Sequence, residues 1–431
     1  METTAYAPRV SKFYYGWYIV AVGFVANIAS AFSLASTMSV FLKPLTADLG
    51  ISRGVFSLLR SGESTIAAIL APFIGTLMDR FGGRWLMVCG ALTAASGYVV
   101  LSHVENFWQF VTIRMSLVTL GDAFMGYIVI NLAVARWFSR RRGRALAFTS
   151  MGTGFAKVCM PLAAATLMVW FGWRQTWLIF GILTFLLVVG PALLFVRRSP
   201  EDLGLEPDGR KTGTAHPAPT ENQTAQRNFT RPDRTPQSWT RTEAARTRAF
   251  WLLVITFGIS SVGVTGLNLH VYPYVTDIGY SPAIAATVMS VIASMQLASP
   301  LVWGLLAERI DPRIAAMLRF IIQGIGLCLA ISTESLFCLY GGFFLYGIGL
   351  GGNMVLPDIL WASYFGGPTL GRVRGMGLMI SQVLSGMGPP FFGFLFDLTG
   401  SYNVSFAIFG AALVTSAFLS LMLRPPVKHG F

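Results

Sequence analysis

Residues 71–80 read Ala-Pro-Phe-Ile-Gly-Thr-Leu-Met-Asp-Arg, and residues 300–309 read Pro-Leu-Val-Trp-Gly-Leu-Leu-Ala-Glu-Arg. Each stretch closes an apolar segment with a glycine followed, four positions on, by an acidic and then a basic residue, and the two stretches lie 229 positions apart. The same displacement relates two further places in the chain, Pro161 to Pro390 and Phe180-Gly181 to Phe409-Gly410. Matches at one displacement in three places indicate that the chain consists of two repeated halves.

Long apolar segments fill both halves. Apolar residues make up 54% of the 431 residues, and charged residues make up 12%, about half the share in an ordinary soluble domain. A bilayer core about 30 Å thick needs roughly 20 residues of helix, so a chain of this length can hold about a dozen crossings. We therefore predict an all-α membrane protein with twelve transmembrane helices in two pseudo-symmetric six-helix bundles.

The apolar segments also predict where the helices and domains lie. Helices one to six are expected near 16–38, 54–78, 85–103, 107–134, 145–169 and 174–196. Helices seven to twelve are expected near 249–273, 283–306, 313–332, 335–361, 375–396 and 402–423. The predicted domains are an N-terminal bundle (1–196), a polar cytoplasmic linker (197–248) with a short amphipathic helix near 241–248, and a C-terminal bundle (249–431). Because eleven segments follow the first one, it is predicted to be a retained helix and not a secretory signal.

The basic residues predict the orientation in the membrane. Most of the 32 Lys and Arg residues fall at the N-terminus, in every second loop and at the C-terminus. Three are assigned to the alternate loops (Lys43, Arg53, Arg174) and three to helix interiors (Arg60, Arg114, Lys157). This sorting predicts cytoplasmic termini and a multi-pass protein of the cell inner membrane. The net charge of +13 is thereby explained by membrane topology, and no nucleic-acid partner is expected.

Candidate cofactor and catalytic motifs are absent from the sequence. The four cysteines, Cys89, Cys159, Cys328 and Cys338, fall inside apolar segments without metal-like spacing. The glycines of 347–352 lie in an apolar helix with no preceding strand, so they indicate close helix packing and no phosphate loop. We predict no cofactor, no metal site and no enzymatic activity.

The loop after the first matched stretch carries a specific motif. Residues 75–84 read Gly-Thr-Leu-Met-Asp-Arg-Phe-Gly-Gly-Arg. This loop resembles the signature loop between helices two and three of the major facilitator superfamily. The resemblance favours a gating role: Gly75 allows close helix approach, and Asp79 makes a cytoplasmic contact that breaks during transport. Arg80 and Arg84 can equally be positive-inside anchors, and the second-half counterparts are Glu308 and Arg309.

Four further stretches, 136–145, 197–209, 270–279 and 361–366, resemble the bacterial branch of that superfamily that includes oxalate/formate exchangers and monocarboxylate transporters. The resemblance implies a small organic anion, typically a carboxylate, moved by proton symport or exchange. Members of that branch carry charged residues on helix eight, whereas 283–306 has none and offers only Gln296. A carboxylate substrate therefore requires another cation in this chain.

Two buried basic residues are the candidate substrate cations. Lys157 lies about twelve residues into helix five, where an unpaired charge should be shielded in a cavity or paired. Arg114, in the outer third of helix four, resembles the superfamily's helix-four arginine and could hold a carboxylate with two hydrogen bonds. The alternatives are structural ion pairs, in which Lys157 binds Asp122 or Glu63 and Arg114 binds Glu63.

Four titratable residues are candidates for proton coupling. Asp122 lies near the middle of helix four with no oppositely charged residue three or four positions away, as a group that takes up and releases a proton needs. Glu63 shares a helix face with Arg60, so the two could simply neutralise each other. His270 could control an outer gate or be hydrogen-bonded at the headgroup level. Asp358 is a further candidate, or it contributes to the cytoplasmic gate.

Neutral polar residues complete the predicted pocket between the halves, bounded by helices one, four, seven and ten with contributions from five and eleven. They are Asn27, Tyr127, Asn131, Asn268, Asn353 and Gln382. We predict a monomeric secondary active transporter of a small organic anion, working by alternating access with proton symport. The rival hypotheses are anion exchange, export of a neutral or cationic compound, and a membrane sensor that signals through 197–248.

Overall fold

The computed structural model describes residues 14–139, 141–206, 208, 239–332, 335–366 and 369–426. Ten continuous helical stretches in these ranges are long and apolar enough to cross a membrane. They are α1 Gly16–Leu49, α2 and α3 within Arg53–Leu101, α4 Phe107–Trp137, α5 and α6 within Arg142–Phe195, α7 Arg248–Asp277, α8 Pro282–Arg309, α9 Pro312–Ser332, α10 Leu336–Phe365, α11 Leu370–Thr399 and α12 Asn403–Met422.

Two of the ten stretches each contain two membrane segments. Arg53–Leu101 is divided at Gly82 (φ 78°), which separates α2 from α3, and Arg142–Phe195 is divided at Gly172 (φ 75°), which separates α5 from α6. A positive φ is accessible to glycine without the penalty that a Cβ atom would impose, so the chain turns at both positions. The described chain therefore has the twelve predicted crossings.

The first predicted helix boundary is wrong. We predicted that helix one ends near 38, but after a break at Ala31–Ser33 a second helix runs from Ala35 to Leu49. Lys43, which was assigned to a loop, therefore lies in α1. Arg53 and Arg174 were also assigned to loops, and each lies in the first turn of a helix instead. Loop assignments from composition fail here because polar ends of helices extend beyond the apolar run.

Twelve crossings place the chain connections on two membrane faces. The connections α2–α3, α4–α5, α6–α7, α8–α9 and α10–α11 share one face with Tyr14 and with the end of α12. We call this the linker face, because the segment between α6 and α7 lies there. The connections α1–α2, α3–α4, α5–α6, α7–α8, α9–α10 and α11–α12 lie on the opposite face, which we call the far face.

Five of the described membrane helices are interrupted along their length, among them α6 at a π-helical turn, Phe185–Val189, and α11 at Met387. In α1 the helix breaks at Ala31–Ser33, in α4 a π-helical turn at Arg114–Val118 is followed by extended backbone at Gly126, and in α10 a 3-10 turn occupies Gly352–Met354. Irregular backbone at membrane depth is tolerated where it lies within protein or beside a cavity. Of the interrupted helices, α4 and α10 are equivalent helices of the two repeats, whereas the described counterparts of α1, α6 and α11 are continuous.

The predicted short helix in the linker is present as Arg241–Ala245. The Thr240 hydroxyl accepts from the Glu243 backbone N–H at 3.2 Å, and the Glu243 carboxylate accepts from the Thr240 N–H at 2.9 Å. Trp239 packs its ring against Phe365, 5.6 Å between centroids, and its backbone N–H donates to Thr369. This end of the linker is attached to α10 and α11, while most of 207–238 lies outside the described residues.

Close glycine contacts bring α9 and α10 together. A Cβ atom built on Gly342 would lie 2.5 Å from the Ala330 nitrogen and 2.6 Å from the Gly326 carbonyl oxygen. The neighbouring Gly341 has only a leucine methyl group at 3.9 Å. In lipid, such small residues allow the backbone approach that drives helix association.

We expect Gly342→Leu to lower the thermal unfolding midpoint of the purified protein, because overpacking at a tight contact costs about 1–3 kcal/mol. Gly341→Leu is the matched control, one residue away on a face with room for the side chain, and should leave the midpoint nearly unchanged. Equal midpoints for the two variants in detergent would contradict the described α9–α10 contact.

Candidate functional site

Charged residues from both halves meet at the far face. The Asp277 carboxylate at the end of α7 accepts from Arg53 at 2.5 Å and from Lys43 at 2.7 Å. The Asp397 carboxylate, on α11, accepts from the backbone N–H groups of Arg53 and Gly54 at 3.0 and 2.8 Å. We call Lys43, Arg53, Asp277, Asp397 and Tyr402 the far-face cluster. Arg53 connects its parts, since it also donates to the Tyr402 hydroxyl at 2.8 Å.

His270 lies next to this cluster and is completely buried. Its Nδ1 is 2.9 Å from the Tyr402 hydroxyl, and its Nε2 is 3.1 Å from both the Ser57 hydroxyl and the Pro389 carbonyl oxygen. The alternative of a histidine at headgroup level is wrong, because α7 continues as helix through Asp277. The imidazole instead joins α2, α7, α11 and α12 inside the closed far side.

Hydrogen bonds between the halves continue towards the membrane middle. The Tyr272 N–H donates to Ser39 at 3.3 Å, Ser61 donates to the Gly386 carbonyl, and Ser290 donates to the Val158 carbonyl at 2.5 Å. Within the described ranges, every hydrogen bond and ion pair that crosses between the halves lies in the far half of the membrane. The described polar contacts between the halves are therefore concentrated at the far face, while the halves also meet by apolar packing of Leu297 against Gly154.

A cavity of about 160 Å³ lies between the halves, below these contacts. Its polar lining consists of Ser36, Arg60, Lys157, Asn268 and Gln296. The lining residues come from α1, α2, α5, α7 and α8. Of the predicted helices, one, five and seven line the cavity and four, ten and eleven do not. Two predicted binding residues, Lys157 and Asn268, are thus brought together, and Gln296 joins them from the helix that lacks charge.

Lys157 is a cation without a carboxylate partner in the part of the chain that the structure describes. No described acidic residue lies within ion-pair distance of its ammonium group. The alternative of an ion pair with Asp122 or Glu63 is wrong for this conformation. A charge inside the membrane has to be paired or shielded in a cavity, and Lys157 faces the cavity between the halves.

Glu63 is held by two arginines instead. Its carboxylate accepts from Arg60 at 2.6 Å and from Arg114 Nε at 2.5 Å. Glu63 and Arg114 are 4% and 0% exposed, so this pair is sealed inside the N-terminal bundle. The alternative that Arg114 is a structural partner of Glu63 therefore describes the geometry, and Arg114 has no path to a substrate in this conformation.

Asp122 lies in α4, on the same bundle, without a basic partner. Its Oδ1 is buried and has no hydrogen-bond donor among the described residues, while Ser33 is its hydrogen-bonding neighbour. The Ser33 hydroxyl is also 2.7 Å from the Tyr98 hydroxyl. Asp122 is therefore set beside neutral hydroxyl groups, at the break in α1.

The other predicted binding residues are dispersed. Asn27 donates to the Thr149 carbonyl at 3.0 Å and joins α1 to α5. Tyr127 is 61% exposed, and Asn353 follows Gly352 in the α10 turn. Asn131 has a buried Oδ1 without a donor, and Gln382 bonds to Ser385 within α11. None of these five is among the residues that line the cavity.

The predicted gating residues lie at the linker face. Asp79 pairs with Arg136 inside the N-terminal half, and its carbonyl accepts from Arg198 at 2.8 Å. Asp358 pairs with Arg374 at 2.5 Å inside the C-terminal half. The expected close helix approach at Gly75 is absent in this conformation, since a Cβ atom there would meet nothing within 4 Å.

Among the described residues, no hydrogen bond or ion pair joins the four remaining gating candidates to the other half. Arg80 and Arg84 lie over their neighbours Phe81 and Trp85, at 5.3 and 5.6 Å from the ring centres. Glu308 and Arg309 are exposed at the end of α8 and form no ion pair within the described ranges.

Two features were missed in the sequence. The far-face cluster was missed because Lys43 and Arg53 were used only to count loop charges. Arg319 was missed although it falls in the predicted helix nine; it is fully buried and donates to Ser260 at 3.2 Å. A single arginine inside an apolar segment was the available signal.

The sequence profile described as Major Facilitator Superfamily matches residues 23–299 and 276–431, which is nearly the whole chain. The chain belongs to the major facilitator superfamily. It is 23% identical to the human protein "Monocarboxylate transporter 11" and 24% identical to the mouse protein "Monocarboxylate transporter 4", covering 95% of this chain and 83% of each relative. A crystal structure titled as a bacterial homolog to the human lysosomal transporter Spinster, inward-facing and unoccupied, matches with a TM-score of 0.70 at 15% identity, covering 96% of this chain and 95% of that one.

These findings confirm the predicted fold class, the resemblance to the monocarboxylate transporter branch and the conclusion that this protein is a multi-pass membrane transporter and not an enzyme. Their coverage of both halves agrees with the internal repeat. The cavity at the interface between the halves is thus the natural candidate for the transport site of this superfamily member.

We expect Asp277→Asn to open the far face, because it removes the shared partner of Arg53 and Lys43, and each of these partly exposed ion pairs contributes up to about 1 kcal/mol. In a cysteine-free background, double electron–electron resonance between spin labels at Ala47→Cys and Ile278→Cys should show a population with a longer label-to-label distance than in the parent. Asp48→Asn is the matched control: Asp48 lies on the same face but pairs with Arg174 inside one half, at 2.8 Å. An unchanged distance distribution in Asp277→Asn would show that the far-face cluster does not hold the halves together.

Proposed function

We propose that this superfamily member carries a small monocarboxylate across the cell inner membrane together with protons. The observation that supports it most is the unpaired ammonium group of Lys157 in the cavity between the halves. The sequence similarity to proteins named monocarboxylate transporters points to the same class of substrate.

The cavity suits a small anion. Its volume of about 160 Å³ is below the roughly 300–1,000 Å³ of pockets for drug-sized ligands. Lys157 provides the positive charge for a carboxylate, and the amides of Asn268 and Gln296 provide neutral hydrogen bonds for its other oxygen atoms. The apolar part of the lining, Val271, Met289 and Ile292, would contact a short carbon chain.

In this proposal Asp122 carries the coupled proton. A carboxylate without a basic partner changes its protonation readily when its surroundings change. Asp122 lies where α1 breaks, next to Ser33, so a movement of α1 during transport alters its surroundings directly. Glu63 is less suited to this role because Arg60 and Arg114 hold it ionised in a closed network.

The far-face cluster and the linker-face pairs would control access in turn. With the linker face as the cytoplasmic face, as the distribution of Lys and Arg favours, the described conformation opens inward and the far-face cluster closes the outer side. In the outward-open conformation, Asp277 and Asp397 would separate from Lys43 and Arg53. Asp79, Arg136, Asp358 and Arg374 would then be available for contacts between the halves at the inner side.

We expect proteoliposomes containing the protein to accumulate labelled small carboxylates, such as lactate or pyruvate, when an inward proton gradient is imposed. Lys157→Gln should abolish this uptake, because the anion loses its counter-charge, while Lys157→Arg should retain part of it. The thermal unfolding midpoint of each variant serves as the control for folding. Absence of carboxylate uptake by the well-folded parent protein would refute the monocarboxylate proposal.

We expect Asp122→Asn to separate transport from the proton gradient, since the amide cannot exchange a proton. Gradient-driven accumulation should be lost, while exchange of labelled for unlabelled carboxylate across the vesicle membrane continues. Asn131→Asp tests whether the carboxylate has to be at residue 122. It places a carboxylate elsewhere on α4 and should not restore proton coupling to the Asp122→Asn variant. If the parent protein shows exchange but no response to the gradient, it is an anion exchanger.

A further inference from the structure

Among the described residues, each bundle contains one completely buried arginine, and the two differ in their partners. Arg114 in the N-terminal bundle and Arg319 in the C-terminal bundle are both 0% exposed. Arg114 donates from Nε to the Glu63 carboxylate at 2.5 Å and so has a counter-charge, although its Nη1 and Nη2 atoms have no acceptor among the described residues. No carboxylate in the described ranges forms an ion pair with Arg319, whose only hydrogen bond goes to the neutral Ser260 hydroxyl at 3.2 Å.

The surroundings of Arg319 contain further unused hydrogen-bonding groups. Its Nε and Nη1 atoms have no acceptor among the described residues. The Gln323 amide, one turn along α9, and the Tyr346 hydroxyl on α10 are buried beside each other and have no further described partner. Tyr346 is close enough to interact electrostatically with the guanidinium group. Buried polar groups of this kind are normally satisfied, so this concentration of unsatisfied donors needs an explanation.

Arg319 lies too deep in the C-terminal bundle for bulk water to satisfy its N–H groups. Arg319 lies seven residues into α9, about 10 Å along the helix axis from its linker-face end. Its guanidinium group is 3.9 Å from the centre of the Phe320 ring and 5.5 Å from that of Phe257. The aromatic faces offset part of the charge, but they do not replace hydrogen-bond acceptors for Nε and Nη1. A buried cation without a counter-charge is strongly destabilising.

We propose that Arg319, Gln323 and Tyr346 form a site for a small monovalent anion inside the C-terminal bundle, between α7, α9 and α10. The anion takes the place that Glu63 has beside Arg114. Arg319 supplies the charge and two N–H donors, and the Gln323 amide and the Tyr346 hydroxyl supply the rest. A halide and the carboxylate of a short organic acid share the required chemistry. This site is separate from the cavity at Lys157 and does not depend on the proposed transport function.

The test is the thermal unfolding midpoint of the full-length protein in detergent, with sodium sulfate replaced by sodium chloride, bromide or acetate at constant ionic strength. A ligand that binds the folded state raises the midpoint with concentration, by a few degrees once its concentration is about 100 times Kd. We expect such a rise for the parent protein and none for Arg319→Gln. Comparing the midpoints in the three salts identifies the anion. A rise with the halides indicates an inorganic anion, and a rise with acetate alone indicates the carboxylate of an organic acid.

Arg114→Gln is the matched control, because it removes an equally buried guanidinium that already has a carboxylate partner, and it should keep the anion dependence. Binding of radioactive chloride or acetate to the parent protein at equilibrium provides a second readout that needs no variant. An unfolding midpoint independent of all three anions in the parent protein would overturn the proposal. So would the same dependence in Arg319→Gln.

Discussion

A charge inside a membrane protein must be neutralised by another group, because the hydrocarbon core offers no water to do it. The positions of the buried charged residues in this protein follow from this requirement. Glu63 is neutralised by two arginines and fixes α2 against α4. Lys157 and Arg319 lack such partners within the described residues, one beside the cavity between the halves and one inside the C-terminal bundle. Paired charges therefore belong to the frame of the bundles, and the two unpaired charges are the groups to which the proposed anions would bind.

The same requirement explains how the halves are held together. At the far face, where water is available, the ion pairs cross between the halves, and Arg53 contacts both Asp277 and Asp397. Such pairs are individually weak at an exposed surface, so they can separate at modest cost. Inside the bundles, tight glycine contacts such as that of Gly326 with Gly342 keep each half rigid. Rigid halves joined by separable contacts are what alternating access requires.

The fold was largely predictable because the membrane restricts a spanning chain to helices and the internal repeat fixes their grouping. The turns at Gly82 and Gly172 fall inside the predicted gaps 79–84 and 170–173, whereas the break in α1 and its continuation to Leu49 were not predicted. The candidate site was predicted less well. Lys157 and Asn268 do line one cavity, but Arg114, Asn27 and Gln382 do not, since a polar residue in an apolar helix can face a cavity or another helix equally well.

The sequence by itself determined the membrane class, the number of crossings, the repeated halves and the family, because each depends on composition and periodicity along the chain. Only the tertiary structure decided which charges are partners. Glu63 lies three residues from Arg60 and 51 residues from Arg114, and it binds both. Asp277 is 224 residues from Arg53 and binds it at 2.5 Å. Ion pairing depends on distances of a few ångströms between side chains, and the order of residues along helices does not contain these distances until the helices are packed.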